Sequence, residues 1–480
     1  MTEVTRGPVL SVRDFATWAP LLRLIWDENQ AELTRLGSSL SGSISPYMLR
    51  FEGRTALTLR GHFGRRQAPD DTVRAALAAD DMDSISFEAR FSPDGHVTVL
   101  LFTGMDASGY PGGATPYETG VLRVPGAVPE PFRRLPSPSP AAVPHPSADP
   151  VVVGRLVRER YPDAVGATDE EIAVAEARIG MPLPAELRAL YRVIGRPVAV
   201  EYNYDDDEDD EDDEDDGGYG SWGDAIGMVA KEALCSIDGV RVLGGSTRPF
   251  PGWPAGAMEA AVTPVGSAVQ QLAGSPGWIQ FADDHGSCRY AIDLSPADGG
   301  HVGQVISVWY EESIGAHLEA GSLAAFLQQE RSADREYYRV GEPVIARAFQ
   351  GGQADVDAVA RPGLEVLHIG SAGAWEGPVS LAAFASLPRL RTLSVADGVL
   401  ADPLEIGGLR HLESLEAGPG SWRVLLDAGA VPPDLMYAGF TWSSPANRPE
   451  LELLTSLSNE IAALWNRPQI TTTVLEGDLS

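Results

Sequence analysis

Hydrophobic and polar positions follow two different periods in the first 124 residues. Apolar side chains recur at helical spacing over Trp18–Trp26, which predicts a helix with one buried face. Over Ile85–Phe91 apolar and polar residues alternate strictly, as they do in a half-buried strand. The turn sequence Ser92–Gly95 and a second alternating stretch, Val97–Leu101, come next and predict a hairpin. We therefore expect residues 1–124 to form a small α+β domain, whose role the pattern does not indicate.

Two short helices joined by a corner are predicted within residues 168–195. Thr168 and Glu171 have the spacing of a capping box, so the first helix should begin directly after Thr168. Gly180 should end that helix. Pro184 is placed at the first position of the second helix, where its missing N–H costs nothing.

Strand patterns return further along the chain. Residues 277–294 predict two strands joined by a tight turn at Asp283–Gly286, and residues 304–310 predict a third. Ser322 can cap a closing helix.

A repeat of the form L-x-x-L-x-L begins at Leu364, Leu390 and Leu412, with steps of 26 and 22 residues. This spacing is typical of leucine-rich repeats, with a weaker fourth unit at 435–440. We assign 336–440 to this leucine-rich-repeat-like segment. This segment either binds another protein or forms a small accessory α/β cap on the central domain. We expect residues 441–480 to form a helix followed by a polar tail.

Nine prolines fall between Pro125 and Pro150. Such a composition favours extended polyproline II conformation, so we predict that 125–150 is a semi-rigid linker. Residues 151–335 then form the central domain.

The length and the net charge of the chain exclude several classes of function. A chain of 480 residues with 44% apolar side chains can bury more than one core. The net charge of −32 argues against binding to nucleic acid or anionic lipid. Two cysteines cannot form a disulfide scaffold, and neither a signal peptide nor an apolar run of spanning length is found. We expect a cytoplasmic protein.

The central domain holds most of the charge. Residues 151–335 contain 13 basic and 33 acidic residues, a net charge of −20, and twelve of the acidic residues are consecutive. The run is a solubilising loop, a docking surface for a basic protein, or a site of loose calcium coordination. We take it as the candidate partner-binding site: Asp205, Asp206, Asp207, Glu208, Asp209, Asp210, Glu211, Asp212, Asp213, Glu214, Asp215 and Asp216.

Catalytic chemistry has one weak candidate. Asp283, Asp284 and His285 suggest acid–base or metal chemistry, but turn formation explains them better, because no distant ligand accompanies them. The chain contains no GxSxG, P-loop, HExxH or paired CxxC motif. We therefore predict a protein that is not an enzyme and has no catalytic residues, cofactor or metal site.

Two blocks of sequence occur in a fixed order over about 152–330. The first block is T-x-x-E followed by I-G-x-P-L-P-x-x-L-x-x-L-Y, and the second is G-W-I-x-F-A-x-D followed by A-I-D-L and G-Q-V-I. Together they resemble the SUKH superfamily, which contains the Smi/Knr fungal cell-wall regulators and many bacterial immunity proteins. The family-motif residues are Glu176, Gly180, Leu183, Pro184, Leu187, Tyr191, Trp278, Phe281, Asp284, Asp293, Gly303 and Gln304.

The resemblance implies a multidomain α+β protein, in which a mostly antiparallel SUKH-type sheet with packed helices lies between the two flanking segments. It also implies a non-enzymatic immunity protein that neutralises a cognate toxin, with a basic nuclease as the expected partner. The alternative is a multidomain scaffold or regulator.

Overall fold

The architecture is that of a computed structural model. The structure describes residues 11–36, 38–45, 48–53, 63–82, 85–103, 122–137, 139–196, 234–248, 253–283, 288–328, 344–348, 350–370, 375–441 and 451–479.

The α-helices of these residues, in chain order, are α1 (Phe15–Leu36), α2 (Phe63–Ala79), α3 (Glu130–Arg133), α4 (Pro150–Arg160), α5 (Asp169–Ile179), α6 (Ala185–Tyr191), α7 (Trp253–Met258), α8 (Leu323–Leu327), α9 (Gln353–Ala358), α10 (Pro419–Ala428) and α11 (Leu451–Leu464). The strands are β1 (Ser38–Ser45), β2 (Met48–Gly53), β3 (Ile85–Phe91), β4 (His96–Thr103), β5 (Leu122–Arg123), β6 (Arg241–Val242), β7 (Trp278–Asp283), β8 (Cys288–Asp293), β9 (Gln304–Trp309), β10 (His317–Ala320), β11 (Ile345–Ala348), β12 (Val366–Ile369), β13 (Thr392–Val395), β14 (Ser414–Ala417), β15 (Tyr437–Phe440) and β16 (Thr471–Asp478).

The chain divides into two compact units, and each is built from separate stretches of sequence. The first unit comprises Met1–Ala127, Gly252–Met258 and Gly341–Ser480, and the second comprises Val128–Pro251 and Glu259–Val340. This division differs from the five consecutive segments predicted above. The reason is that pairing between strands distant in sequence joins the first predicted segment to the last.

An antiparallel sheet of order β16-β4-β3-β1-β2 lies in the first unit. The predicted apolar stripe of α1 packs on it, and Trp18 and Phe87 are in contact with ring centroids 4.7 Å apart. The predicted hairpin is confirmed, because β3 and β4 pair antiparallel around the turn at Ser92–Gly95.

Strand β16 corrects the expectation of a polar tail at the end of the chain. Residues Thr471–Asp478 pair with β4 along its full length, from Thr471 opposite Thr103 to Asp478 opposite His96. The segment looked polar because Leu475 is the single buried residue among its eight. Leu475 is buried in the core of this sheet, whereas Val474 is 55% exposed.

A second sheet of the first unit contains five parallel strands in the order β11 to β15, with β5 antiparallel at the end. The first leucine of each predicted repeat lies two residues before β12, β13 or β14, and the second leucine lies within the strand. All six leucines belong to one buried core. The weak fourth unit supplies β15. Identifying these turns as leucine-rich repeats remains a prediction.

The second unit holds an antiparallel sheet of order β10-β9-β8-β7-β6. Helices α4, α5, α6 and α8 contribute to the core on one of its faces. The other face packs against residues of 259–276 and against Phe132. This two-layer arrangement confirms the predicted α+β class.

The proline-rich segment predicted to be a linker packs along the second unit. Ser137 and Gln270 exchange two hydrogen bonds of 2.8 Å, one in each direction. The Val302 N–H donates to the Val143 carbonyl at 3.1 Å. Proline leaves the carbonyl groups of an extended chain without local partners, so such a segment can accept hydrogen bonds from a neighbouring surface. Composition alone does not distinguish this role from that of a free linker.

Candidate functional site

The predicted partner-binding run, Asp205–Asp216, lies outside the described residues, and so do Asp284 and His285. The candidate site is therefore built from the remaining motif residues and from the side chains that surround them.

The first motif block forms the corner between α5 and α6. Thr168 caps α5 as predicted: its Oγ1 accepts from the Glu171 N–H at 3.2 Å, and the Glu171 carboxylate accepts from the Thr168 N–H at 2.8 Å. The hydrogen bonds that the Glu171 carboxylate accepts from the Thr168 backbone N–H and hydroxyl lower its pKa. Gly180 ends the helix with a φ of 77°, in the left-handed region that glycine adopts without steric cost.

Glu176 holds the corner together. Its Oε1 accepts from the Leu183 N–H at 2.8 Å and from the Arg188 guanidinium. Burial opposes ionisation of this carboxyl, but the two donors outweigh it and lower its pKa. Pro184 precedes α6 as its N-cap, because its ψ of 149° is extended. It thus stands one position earlier than predicted.

Leu183, Leu187 and Tyr191 are core residues. Each is at most 3% exposed, and together they line the core between the helices and the sheet. The Tyr191 hydroxyl donates to the Cys235 carbonyl at 3.1 Å, and burial raises the pKa of this tyrosine well above its ordinary value.

Glu186 is a buried carboxylate that the sequence reasoning missed. Its oxygens accept from three backbone N–H groups: Asp149 at 2.9 Å, and Leu323 and Ala324 at 3.1 Å each. Ser322 also caps α8 through the Ala325 N–H. The single sequence signal was a glutamate two residues after Pro184, and this did not reveal partners that lie more than 130 positions later.

The second motif block closes the far end of the sheet. Gln304 donates to both Asp293 Oδ2 and the Ala268 carbonyl at 2.9 Å, and the Ser295 N–H donates to Asp293 Oδ1 at 2.8 Å. Burial raises the pKa of Asp293 to about 6, although these hydrogen bonds act against it. Gly303 has a φ of 89° and donates its N–H to the Asp293 carbonyl.

The motif aromatics stand on opposite faces of β7. Trp278 belongs to the core on the face that packs against Phe132, whereas Phe281 packs with the helices and contacts Phe326 edge-on. Because successive side chains of a strand point to opposite faces, two residues three positions apart lie on opposite faces.

Asp283, the described member of the predicted acid–base group, lies in a half-buried polar cluster. Its Oδ2 accepts from the Tyr310 hydroxyl at 2.6 Å and from Gln280 at 3.2 Å. The Arg289 guanidinium lies 4.4 Å above the centre of the Tyr310 ring. Burial and the Asp283 hydrogen bond both raise the pKa of Tyr310. Asp283 therefore orients the side chains of Tyr310 and Gln280.

Among the described ranges, no group of three or more His, Cys, Asp or Glu side chains is arranged to hold a metal ion. In the same ranges, no helix combines the length and the apolar character that crossing a bilayer requires.

Residues 166–329 match the model of the SMI1 / KNR4 family (SUKH-1). No curated protein matches the chain. The matched stretch begins later than the predicted start at about 152, so it leaves out α4, although Val153 and Val157 of this helix lie in the same core.

Proposed function

Since residues 166–329 form a SUKH-1 domain, we propose that this chain is a non-enzymatic protein-binding protein that serves as a bacterial immunity protein. Its action is to bind a cognate toxin and to mask the toxin's working surface. The expected partner is a basic domain, such as a nuclease. The acidic run Asp205–Asp216 is its docking surface.

The single observation that carries this proposal is where the negative charge lies. The segment 151–335 has a net charge of −20, and without the run it would be −8. A nuclease binds phosphate with a positively charged cleft. A dense series of carboxylates offers the same charge, so it steers association with such a cleft and raises the association rate.

The role of the motif carboxylates also favours binding over catalysis. Glu176, Glu186 and Asp293 each accept at least two hydrogen bonds from groups of the domain itself. These hydrogen bonds stabilise the fold: Glu176 stabilises the corner between α5 and α6, Glu186 the start of α8, and Asp293 the end of the sheet. A partner would meet the remaining surface.

The half-buried cluster of Arg289 and Tyr310 is a second candidate contact. Arginine and tyrosine are, with tryptophan, enriched among the few residues that carry most of the binding energy of an interface. Here Tyr310 is fixed by Asp283 and stacked under Arg289, so little conformational entropy remains to be lost on binding.

The decisive experiment replaces Asp205–Asp216 with a neutral Gly/Ser segment of twelve residues. The association rate with the toxin encoded beside this gene is measured by stopped flow at low and high salt. We expect the variant to associate about tenfold or more slowly at low salt, and the difference to shrink as salt screens the charge. A twelve-residue polyglutamate replacement is the matched control and should keep the fast rate.

Equal rates for the neutral variant and the natural chain would restrict the run to a solubilising role. Co-expression tests the immunity function itself: if the chain forms no complex with the neighbouring toxin and gives no protection, that function is contradicted.

A scaffold or regulator role is the second candidate, favoured by the parallel sheet β11–β15. Binding to an unrelated partner would then be unaffected by the neutral replacement. It would weaken on Arg347→Glu, which reverses an exposed charge on β11. An affinity that is insensitive to Arg347→Glu counts against this role.

A further inference from the structure

The parallel sheet has one apolar face and one face of mixed character. Leu367, Leu393 and Leu415 are in register on the face that joins the main core of the first unit. Because side chains alternate along a strand, the preceding residues occupy the opposite face. These are Val366, Thr392, Ser414 and Tyr437, which are also in register.

Helix α7 lies on this opposite face. Its six residues fall inside the stretch matched by the SUKH-1 model, yet they belong to the first compact unit and not to the second. Trp253 and Ala257 are four positions apart, on one side of the helix, and they form a small buried cluster with Tyr437. This cluster is separate from the main core of the unit.

This face of the sheet provides α7 with a stacking partner for its indole and with hydrogen-bond donors for a carbonyl group of its last turn. The indole of Trp253 stacks on Tyr437 with ring centroids 5.4 Å apart and planes 9° from parallel, and its N–H donates to the Ala127 carbonyl at 3.0 Å. The Ala257 carbonyl accepts from Arg391 Nη1 and from Thr392 Oγ1, both at 2.8 Å. Carbonyl groups in the last turn of a helix have no partner within it, and a cation is favourable there.

We propose that the Thr392–Tyr437 face is a binding site for a short tryptophan-bearing helix, that α7 fills this site in cis, and that this occupancy controls access by a protein partner. The site recognises three features: an indole, a small residue four positions later, and an open helix C-terminus. A partner carrying these features competes with α7. All of these contacts lie within the first unit, and none of them involves the acidic run.

The test uses the full chain and a fluorescent peptide with the sequence of residues 248–260. The variant Trp253→Ala vacates the site, and Trp253→Ala combined with Tyr437→Ala also removes the stacking partner. We expect the vacated chain to bind the peptide with a Kd in the range of about 1–100 μM, measured by fluorescence anisotropy. The natural chain and the double variant should bind about tenfold or more weakly.

A peptide carrying Trp253→Ala is the matched control and should not bind. If the folded Trp253→Ala chain shows no saturable binding up to about 1 mM peptide, the proposal is overturned. Should Trp253→Ala fail to fold, hydrogen exchange on the natural chain decides. If a partner can displace α7, the helix must detach locally from the sheet. Its amide hydrogens should then exchange about a hundredfold or more faster than those of β13 and β14. Equal protection would make α7 part of the core and would overturn the proposal.

Discussion

Asp293 shows how burial of one carboxyl makes stability depend on pH. Its pKa in the folded chain is raised to about 6 from an ordinary value of 3.8, mainly by burial. The folded state therefore holds this proton more tightly than the unfolded state does. Its contribution is most favourable below pH 3.8 and is lost as pH rises through about 6, the reverse of an ion-paired aspartate.

We predict that Asp293→Asn removes this pH dependence. The shift corresponds to up to about 3 kcal/mol of the free energy of unfolding between pH 4 and pH 7. Urea unfolding at pH 4, 5, 6 and 7 should show a difference between natural chain and variant that changes by this amount. Asp298→Asn, on the exposed loop that follows, should leave the profile unchanged. A constant difference between Asp293→Asn and the natural chain would contradict the prediction.

Glu186 gives a second prediction at the residue scale. Replacing it with alanine leaves the N–H groups of Asp149, Leu323 and Ala324 without their acceptor. Each lost partner of a buried donor costs about 1–3 kcal/mol, although Ser322 and water can recover part of it. We expect Glu186→Ala to lower the free energy of unfolding by about 2–4 kcal/mol in urea titrations. Glu170→Gln, an exposed change on α5, should stay within about 0.5 kcal/mol, and a similar value for Glu186→Ala would refute the capping role.

At the scale of elements, β16 distinguishes a paired strand from a polar tail. Leu475 is 7% exposed and Val474 is 55% exposed. We predict that Leu475→Ala destabilises the first unit by about 2–3 kcal/mol, the usual cost of truncating a buried leucine. Val474→Thr, its exposed neighbour, should change stability by less than about 0.5 kcal/mol. Thermal unfolding monitored by circular dichroism measures both, and equal, negligible effects would mean that β16 is not paired in solution.

Elements marked by local signals could be predicted from the sequence. The capping box of Thr168 and Glu171 located the start of α5, and the turn at Ser92–Gly95 located a hairpin. Both depend on residues a few positions apart. The pairing of β16 with β4 and the position of α7 depend on distant partners, and no local pattern carries that information.

The candidate site divides in the same way. The order of the two motif blocks was sufficient to predict a SUKH domain over about 152–330, and the SUKH-1 family model matches 166–329. The sequence pattern also singled out Asp283, but it did not predict the hydrogen bonds of Asp283 with Tyr310 and Gln280, which the structure shows. Glu186 was missed because a buried acceptor of backbone N–H groups has no residue pattern of its own.

At the scale of the whole molecule, the chain does not fold as a series of consecutive segments. The first compact unit takes residues from the beginning, the middle and the end of the sequence, and the second unit begins at Val128 with a segment that looked like a linker. A fragment cut at the predicted boundary of 335/336 would separate α7 from the strands that hold it. Functional dissection of this protein therefore calls for point substitutions in the full chain.

The pairing of β16 also affects the order of events during synthesis. His96 and Asp478 bond to each other across 382 positions of sequence. At a translation rate of about 5–20 residues per second, β4 is made on the order of 20–75 s before its partner. During that interval the nascent sheet has an unpaired edge beside an apolar core, the kind of surface on which chains aggregate. Ribosome-bound intermediates of this protein should therefore be clients of chaperones until β16 is translated.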